Sequence, residues 1–301
     1  MNFTFSDEQR LFQRTVREFL EKECPPERVR AAEAGEAGWS FERWRGLADL
    51  GVVGLTVPEE HGGLGKDERD LVLLLEEAGR AALPEPLEQT TAVVVPLLKG
   101  KEGLDTTTES LRAIAQGNEI ATYERTGEGA FQLTFTGSDG THHRVLGVEA
   151  RLSGPHDPAL DRAAFAASAV LTGIADRVIE LAATYAKERH QFGKPIGSFQ
   201  AVKHLLADAV LGIEFARPAV YRAAWSLATD SATQGVDCST AKALASEAAL
   251  TACRSALQVH GAIGYTHEHD LHLWLTKGFT FAHAWGTAAW HRERIARATL
   301  D

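Results

Sequence analysis

The chain has 301 residues, is 44% hydrophobic and carries a formal net charge of −10. That length and apolar content suffice for one or two substantial cores, and the acidic balance argues against nucleic-acid backbones and anionic membranes, which select basic surfaces. Three separated cysteines, Cys24, Cys238 and Cys253, form no C-x-x-C pair, so neither a disulfide framework nor a zinc site is indicated and a reducing cytoplasm is expected.

The opening residues Met1 to Glu8 show neither a charged n-region nor an apolar h-region, and no apolar run approaches membrane length. No membrane partner is expected. Ser6 to Gln9 reads as a capping box, and Leu11, Phe12, Val16, Phe19 and Leu20 follow on one helical face. A second helix runs from about Ser40 through Trp44, Leu47 and Leu50 to a stop at Gly51. A third carries Leu71, Val72, Leu74, Leu75 and Ala78 after Asp67. Between them, Val57 to Gly65 is a turn-rich loop whose glycines do not follow the phosphate-binding G-x-G-x-x-G pattern.

After Leu98 the character changes. Short alternating runs at Ile120–Tyr123, Phe131–Phe135 and Arg144–Val148 read as β-strands, with turns at Thr126-Gly127 and Asp139-Gly140. Helical periodicity returns at Leu160 and leads through Phe165, Val170, Ile174 and Val178 to Arg189. A second stripe runs from Val202 to Ile213, and Pro218 is expected to bend or interrupt it. An Ala-dense helix spans about Thr240 to Val259, and a fourth begins near Thr287. The pattern is that of long antiparallel helices forming a bundle. The expected partition is 1–98 helical, 99–158 a reduced β-region, and 159–301 a C-terminal four-helix bundle, in a mostly α chain.

The most informative stretch is Lys187-Glu188-Arg189-His190-Gln191-Phe192-Gly193-Lys194-Pro195-Ile196-Gly197-Ser198-Phe199-Gln200. It leaves one helix at an Arg and enters the next near Ser198. A guanidinium pairs bidentately with phosphate oxygens, a helix start presents unpaired amides, and Phe192 and Phe199 are suited to covering a planar ring. A lone R-x-x-F-G reads more readily as Arg189 salt-bridging a neighbouring carboxylate with two core phenylalanines, and it is the longer match with a second segment about seventy residues later that reverses the balance.

Together with Gln258-Val259-His260-Gly261-Ala262-Ile263-Gly264-Tyr265-Thr266, this stretch resembles the flavin-contacting segments of the acyl-CoA dehydrogenase family. The loop Val57-Pro58-Glu59-Glu60-His61-Gly62-Gly63-Leu64-Gly65 is similar to a segment of that family's N-terminal helical domain. The resemblance covers about Phe5 to Leu98 and everything from about Leu160 onward. It implies an N-terminal helical domain, a middle β-domain, a C-terminal four-helix domain and a tetrameric assembly. It also implies FAD as cofactor and oxidation of an acyl-CoA to its 2,3-enoyl derivative, with a carboxylate removing the α-proton. The implied cofactor-binding residues are Arg189, Gln191, Phe192, Ile196, Phe199, Gln200, Gln258, Gly261 and Gly264.

Two departures narrow that implication. The middle region lacks the family's tryptophan- and tyrosine-containing segments around the isoalloxazine ring, with no Trp between Trp44 and Trp225. The catalytic Glu of many members precedes a Gly-Thr pair. Here Trp285 precedes Gly286-Thr287, and the alternative family position falls near Ala163. Losing a general base typically costs on the order of 10² to 10⁴ in rate, and an indole cannot accept the proton. Asp161 and Glu268 are the remaining acid candidates.

His267-Glu268-His269-Asp270-Leu271-His272 does not read as a metal site, because His267 and His269 would point to nearly opposite helix faces. Solvated or interface polar residues account for it. The aromatic cluster Trp274, Phe279, Phe281, His283, Trp285 and Trp290 reads as core or subunit interface more readily than as a cofactor box. If an acyl pocket remains, the Trp285 indole would fill it.

Three functions follow. In the first, the chain is a shortened subunit of a heteromeric α2β2 enzyme, resembling those of actinobacterial steroid-type acyl-CoA dehydrogenases. It would bind the ADP half of FAD while a full-length acyl-CoA dehydrogenase-like partner supplies the catalytic Glu, and alone it would be inactive. In the second it is a homomeric dehydrogenase with a displaced base. In the third it is a flavin-free scaffold or acyl-CoA-binding protein.

Overall fold

The computed structural model describes residues 4–35, 38–99, 105–126, 130–145 and 157–300. The chain begins with α1 (Asp7–Glu23), whose N-terminus is closed by the expected capping box. The Ser6 hydroxyl accepts from the Gln9 amide while the Gln9 side chain returns to the Ser6 N–H. Then come α2 (Pro26–Glu33), α3 (Phe41–Asp49, capped by Ser40) and α4 (Glu68–Arg80, capped by Asp67). Leu71 through Leu75 are all buried, and the buried Glu76 and Glu77 are ion-paired to Arg217 and Arg17, so most of α4 lies inside the molecule.

A short helix α5 (Leu87–Gln89) passes through a π-helical turn, Thr90–Val94, into α6 (Val95–Lys99), followed by α7 (Asp105–Ala115). Neither α2 nor α7 was expected from the sequence. Helix α2 is eight residues long with one buried apolar side chain, and α7 opens on a β-branched Thr run that hides its period.

The β-region is an antiparallel sheet of β1 (Glu119–Thr126), β2 (Ala130–Gly137) and β3 (His142–Val145), in that order. Register pairs Ala121 with Phe135 and Tyr123 with Leu133, which places four buried side chains on one face. The Trp44 indole N–H donates to the Glu119 carbonyl at 3.0 Å and ties the sheet to α3. The turn at Asp139-Gly140 is as expected, with Gly140 at φ 83° and the Asp139 carboxylate accepting from the Thr141 amide. Gly127 and positions 146–148 of the third run lie outside the described residues.

Helix α8 (Pro158–Glu188) is the central element, capped by Asp157. A two-stranded hairpin, β4 (His190–Gln191) with β5 (Lys194–Pro195), leads into α9 (Gln200–Ala228), α10 (Gln234–His260), α11 (Leu271–His283) and α12 (Ala288–Leu300). The fold is the mostly α, acyl-CoA dehydrogenase-like arrangement that the sequence implied. Pro218 lies inside α9 without ending it. Helix α11 was missed because its aromatic residues occupy several faces and Asp270 makes no side-chain cap bond.

Helices α4 and α8 cross backbone to backbone. A Cβ built on Gly173 would lie 1.8 Å from the Glu76 carbonyl oxygen, and one on Gly79 would lie 2.1 Å from that of Val170. Gly173→Ala must therefore push the two helices apart. Unfolding in urea should show a loss of about 1–3 kcal/mol, the usual scale for overpacking, and an unchanged midpoint would refute this crossing.

Candidate functional site

Helix α8 ends at Arg189, whose backbone turns extended (φ −76°, ψ 120°) and whose carbonyl accepts from the Ile196 amide at 2.8 Å. That bond closes the hairpin. Its two-residue loop has Phe192 at φ 54° and Gly193 at φ 77°, the signs of a type I′ turn. A phenylalanine at positive φ is uncommon, and the result is a ring 90% exposed, standing edge-on to Phe199 at 6.2 Å. The Lys194 ammonium sits 4.4 Å from the Phe199 ring centre.

Gln191, Phe192, Ile196 and Phe199 meet Gln258 and Val259 from the end of α10 around an open apolar groove of about 480 Å³. Gln200 starts α9 and is exposed. Gly261 closes α10 at φ 64°, a conformation disfavoured for any other residue, and Gly264 is buried against Leu257 and His260. The Arg189 guanidinium is exposed and makes no ion pair among the described residues. The salt-bridged reading of Arg189 finds no counterpart there. Beneath the groove, the His260 Nδ1–H donates to the Ala256 carbonyl at 2.7 Å, its ring stacks on Tyr185 at 4.5 Å, and burial lowers its pKa.

Ala163, one family position for the base, is buried in α8. At the other, Trp285 stands at φ 59° and its ring packs on Tyr123 from β1 with centroids 5.5 Å apart. Asp161 is buried and ion-paired to Arg294, which also donates to the Ser239 hydroxyl at 3.1 Å. A carboxylate committed in this way is poorly placed to collect a proton from a ligand. Glu268 lies exposed in the turn before α11.

Sequence reasoning passed over four residues near Trp285. Lys242 and His291 are buried beneath its turn, Tyr123 faces its ring, and the buried Asp157 adds to the burial that holds the Tyr123 phenol above its ordinary range.

The family models for the acyl-CoA dehydrogenase N-terminal domain and C-terminal domain match residues 6–100 and 158–300. Acyl-CoA dehydrogenase IpdE2 of Mycolicibacterium smegmatis is 34% identical over an alignment covering 98% of this chain and 99% of that protein. The chain belongs to the acyl-CoA dehydrogenase family. Among solved structures, the Tcur3481-Tcur3483 steroid ACAD G363A variant is similar at TM-score 0.79 and 27% identity, over 97% of both chains. The ChsE4-ChsE5 complex from Mycobacterium tuberculosis is similar at TM-score 0.82 over 100% of this chain and 99% of that one. At 23% identity the second shares the fold.

Family members generally bind FAD. The groove fits the nucleotide end of that cofactor: two exposed amides and an exposed aromatic ring line an apolar trough, and two positions before Gln191 stands the exposed Arg189, with no ion pair among the described residues. Among the described residues, no group of three or more His, Cys, Asp or Glu is placed to hold a metal. No helix among them is long and apolar enough to cross a membrane.

Proposed function

We propose that this chain is one subunit of a heteromeric, cytoplasmic FAD-dependent acyl-CoA dehydrogenase. It would supply Arg189, Gln191, Phe192, Ile196, Phe199, Gln200, Gln258, Gly261 and Gly264 to the ADP half of an FAD shared with a full-length family partner. That partner brings the flavin-ring pocket and the catalytic Glu, in an α2β2 assembly acting on a bulky acyl-CoA such as a steroid side-chain thioester. FAD supplies the acceptor for the two electrons leaving the substrate; this chain grips its nucleotide. The partition into 1–98, 99–158 and 159–301 belongs to the same reading, the middle segment being what remains of the family's β-domain.

One observation carries it: the groove beside Arg189 stands open, while the chain's own position for the base is a tryptophan packed on Tyr123. The similarity to proteins described as a steroid ACAD and a two-component complex supports both substrate class and partner. Asp161 and Glu268 are structural and surface residues in this account.

Expression alone and together with a full-length partner tests it. The lone chain should be colourless and inactive. The co-purified pair should carry one FAD for each pair of unlike chains and reduce a dye in the presence of acyl-CoA. A yellow, dye-reducing lone chain would overturn the half-site reading in favour of a homomeric enzyme, and a colourless pair would favour a flavin-free scaffold.

A further inference from the structure

Trp285 and Gly286 stand consecutively at φ 59° and φ 101°. The left-handed region costs a side-chain-bearing residue roughly 1–2 kcal/mol and persists only where the surroundings over-determine it. Two fully buried side chains do so here. Lys242 directs its ammonium at three neutral oxygens: the Ser246 hydroxyl at 2.9 Å, the Ala282 carbonyl at 3.1 Å and the Gly286 carbonyl at 3.2 Å. Its three donors are thereby satisfied, one of them by a carbonyl from the last turn of α11, where positive charge also suits the helix dipole.

From α12, His291 bonds the Trp285 carbonyl through Nε2 at 2.9 Å. A carbonyl only accepts, so Nε2 carries the proton. Burial pushes the His291 pKa down to about 4 and that of Lys242 down to about 7. Gly286 has no room for a side chain, since a Cβ there would lie 2.8 Å from both His291 Nε2 and Trp290 Cε3. The carbonyls of residues 282, 285 and 286 are therefore all held from the bundle side. The Trp285 ring itself packs against buried Tyr123, at an interplanar angle of 36°.

We propose that Lys242 and His291 are positioning residues that lock the Trp285 indole onto Tyr123, making it a built-in occupant of this chain's own substrate chamber. Naming that space the substrate chamber rests on the family reading of Trp285 given above. A buried ammonium with only neutral partners is costly to maintain, and holding this turn gives it a role.

The test uses the full chain labelled with 5-fluorotryptophan and 19F NMR, with Trp285→Phe identifying the Trp285 resonance. Lys242→Met and His291→Leu should each shift or broaden that resonance while Trp39, Trp44, Trp225 and Trp274 stay in place. His291→Gln, whose amide can donate to the same carbonyl, should restore it. An unmoved Trp285 signal in both disrupting variants overturns the positioning role. If Lys242→Met does not fold, the His291→Leu and His291→Gln pair decides alone. Octanoyl-CoA titrated onto the labelled wild-type chain should leave the Trp285 signal unmoved, and a saturable displacement overturns the occupant. Flavin stoichiometry of the pair does not depend on this signal, so failure here and failure of the subunit reading are separable.

Discussion

Asp161→Asn should destabilise the chain by about 3–5 kcal/mol, the scale for removing one member of a buried ion pair. Asp161 and Arg294 are both buried, and the substitution removes the carboxylate from their ion pair. The Ser239 hydroxyl, which also accepts from Arg294, is neutral and does not replace the carboxylate's charge. Replacing both members by apolar residues, Asp161→Leu with Arg294→Met, should recover most of the loss, because the pair's desolvation cost disappears with it. The distinction bears on mechanism. If Asp161 were a displaced base, the double variant would restore stability and abolish turnover. As a structural acid, it should leave the co-purified complex active. Urea unfolding of the three variants with dye-reduction assays of the same preparations separates the two, and an Asp161→Asn variant as stable as wild type would remove the ion pair from the account.

Much of the fold was readable because local signals agreed with the tertiary outcome. Ser6 and Gln9 close α1, Ser40 and Asp67 cap the helices they precede, and the alternation around Ile120 and Leu133 becomes paired strands. The missed elements lacked such agreement. Helix α11 carries Trp274, Phe279 and Phe281 on different faces, and its exposed stripe is made of Thr276, Thr280 and His283, residues too weakly polar to mark a clear helical period in the sequence. Pro218 promised a break in α9, and packing on both sides of it carried the helix through.

The site divides in the same way. Arg189 to Gln200 is contiguous, so the candidate residues stand together in the sequence, and the structure adds the strained Phe192 and the apolar trough beside it. The other half is assembled across distant segments. Lys242 and His291 lie 49 positions apart on α10 and α12, and they converge on a turn whose conformation depends on both. Nothing in an Ala-rich helical period distinguishes a buried lysine from a solvated one, because burial belongs to the packing of α10 and not to its own sequence.

Arg189→Ala in the co-purified complex should weaken FAD by about 1.5–3 kcal/mol, roughly 10- to 150-fold in Kd, through loss of a charge-assisted phosphate contact. The expected loss is in binding and not in folding. The guanidinium is exposed and pairs with no described carboxylate, while the backbone of Arg189 independently closes the hairpin through the Ile196 amide. Removing the side chain leaves that closure intact, so stability should hardly change. Arg189→Lys should recover only part of the affinity, because a point charge lacks the bidentate fork. Lys194→Ala should cost less, since its ammonium is engaged over the Phe199 ring. A flavin titration of the apo complex at two salt concentrations reads all three, with the Arg189→Ala deficit shrinking as salt rises if a phosphate is the partner. An unchanged Kd would take Arg189 out of the site, and the groove would then have to hold its ligand by the apolar contacts of Phe192, Ile196 and Phe199 alone.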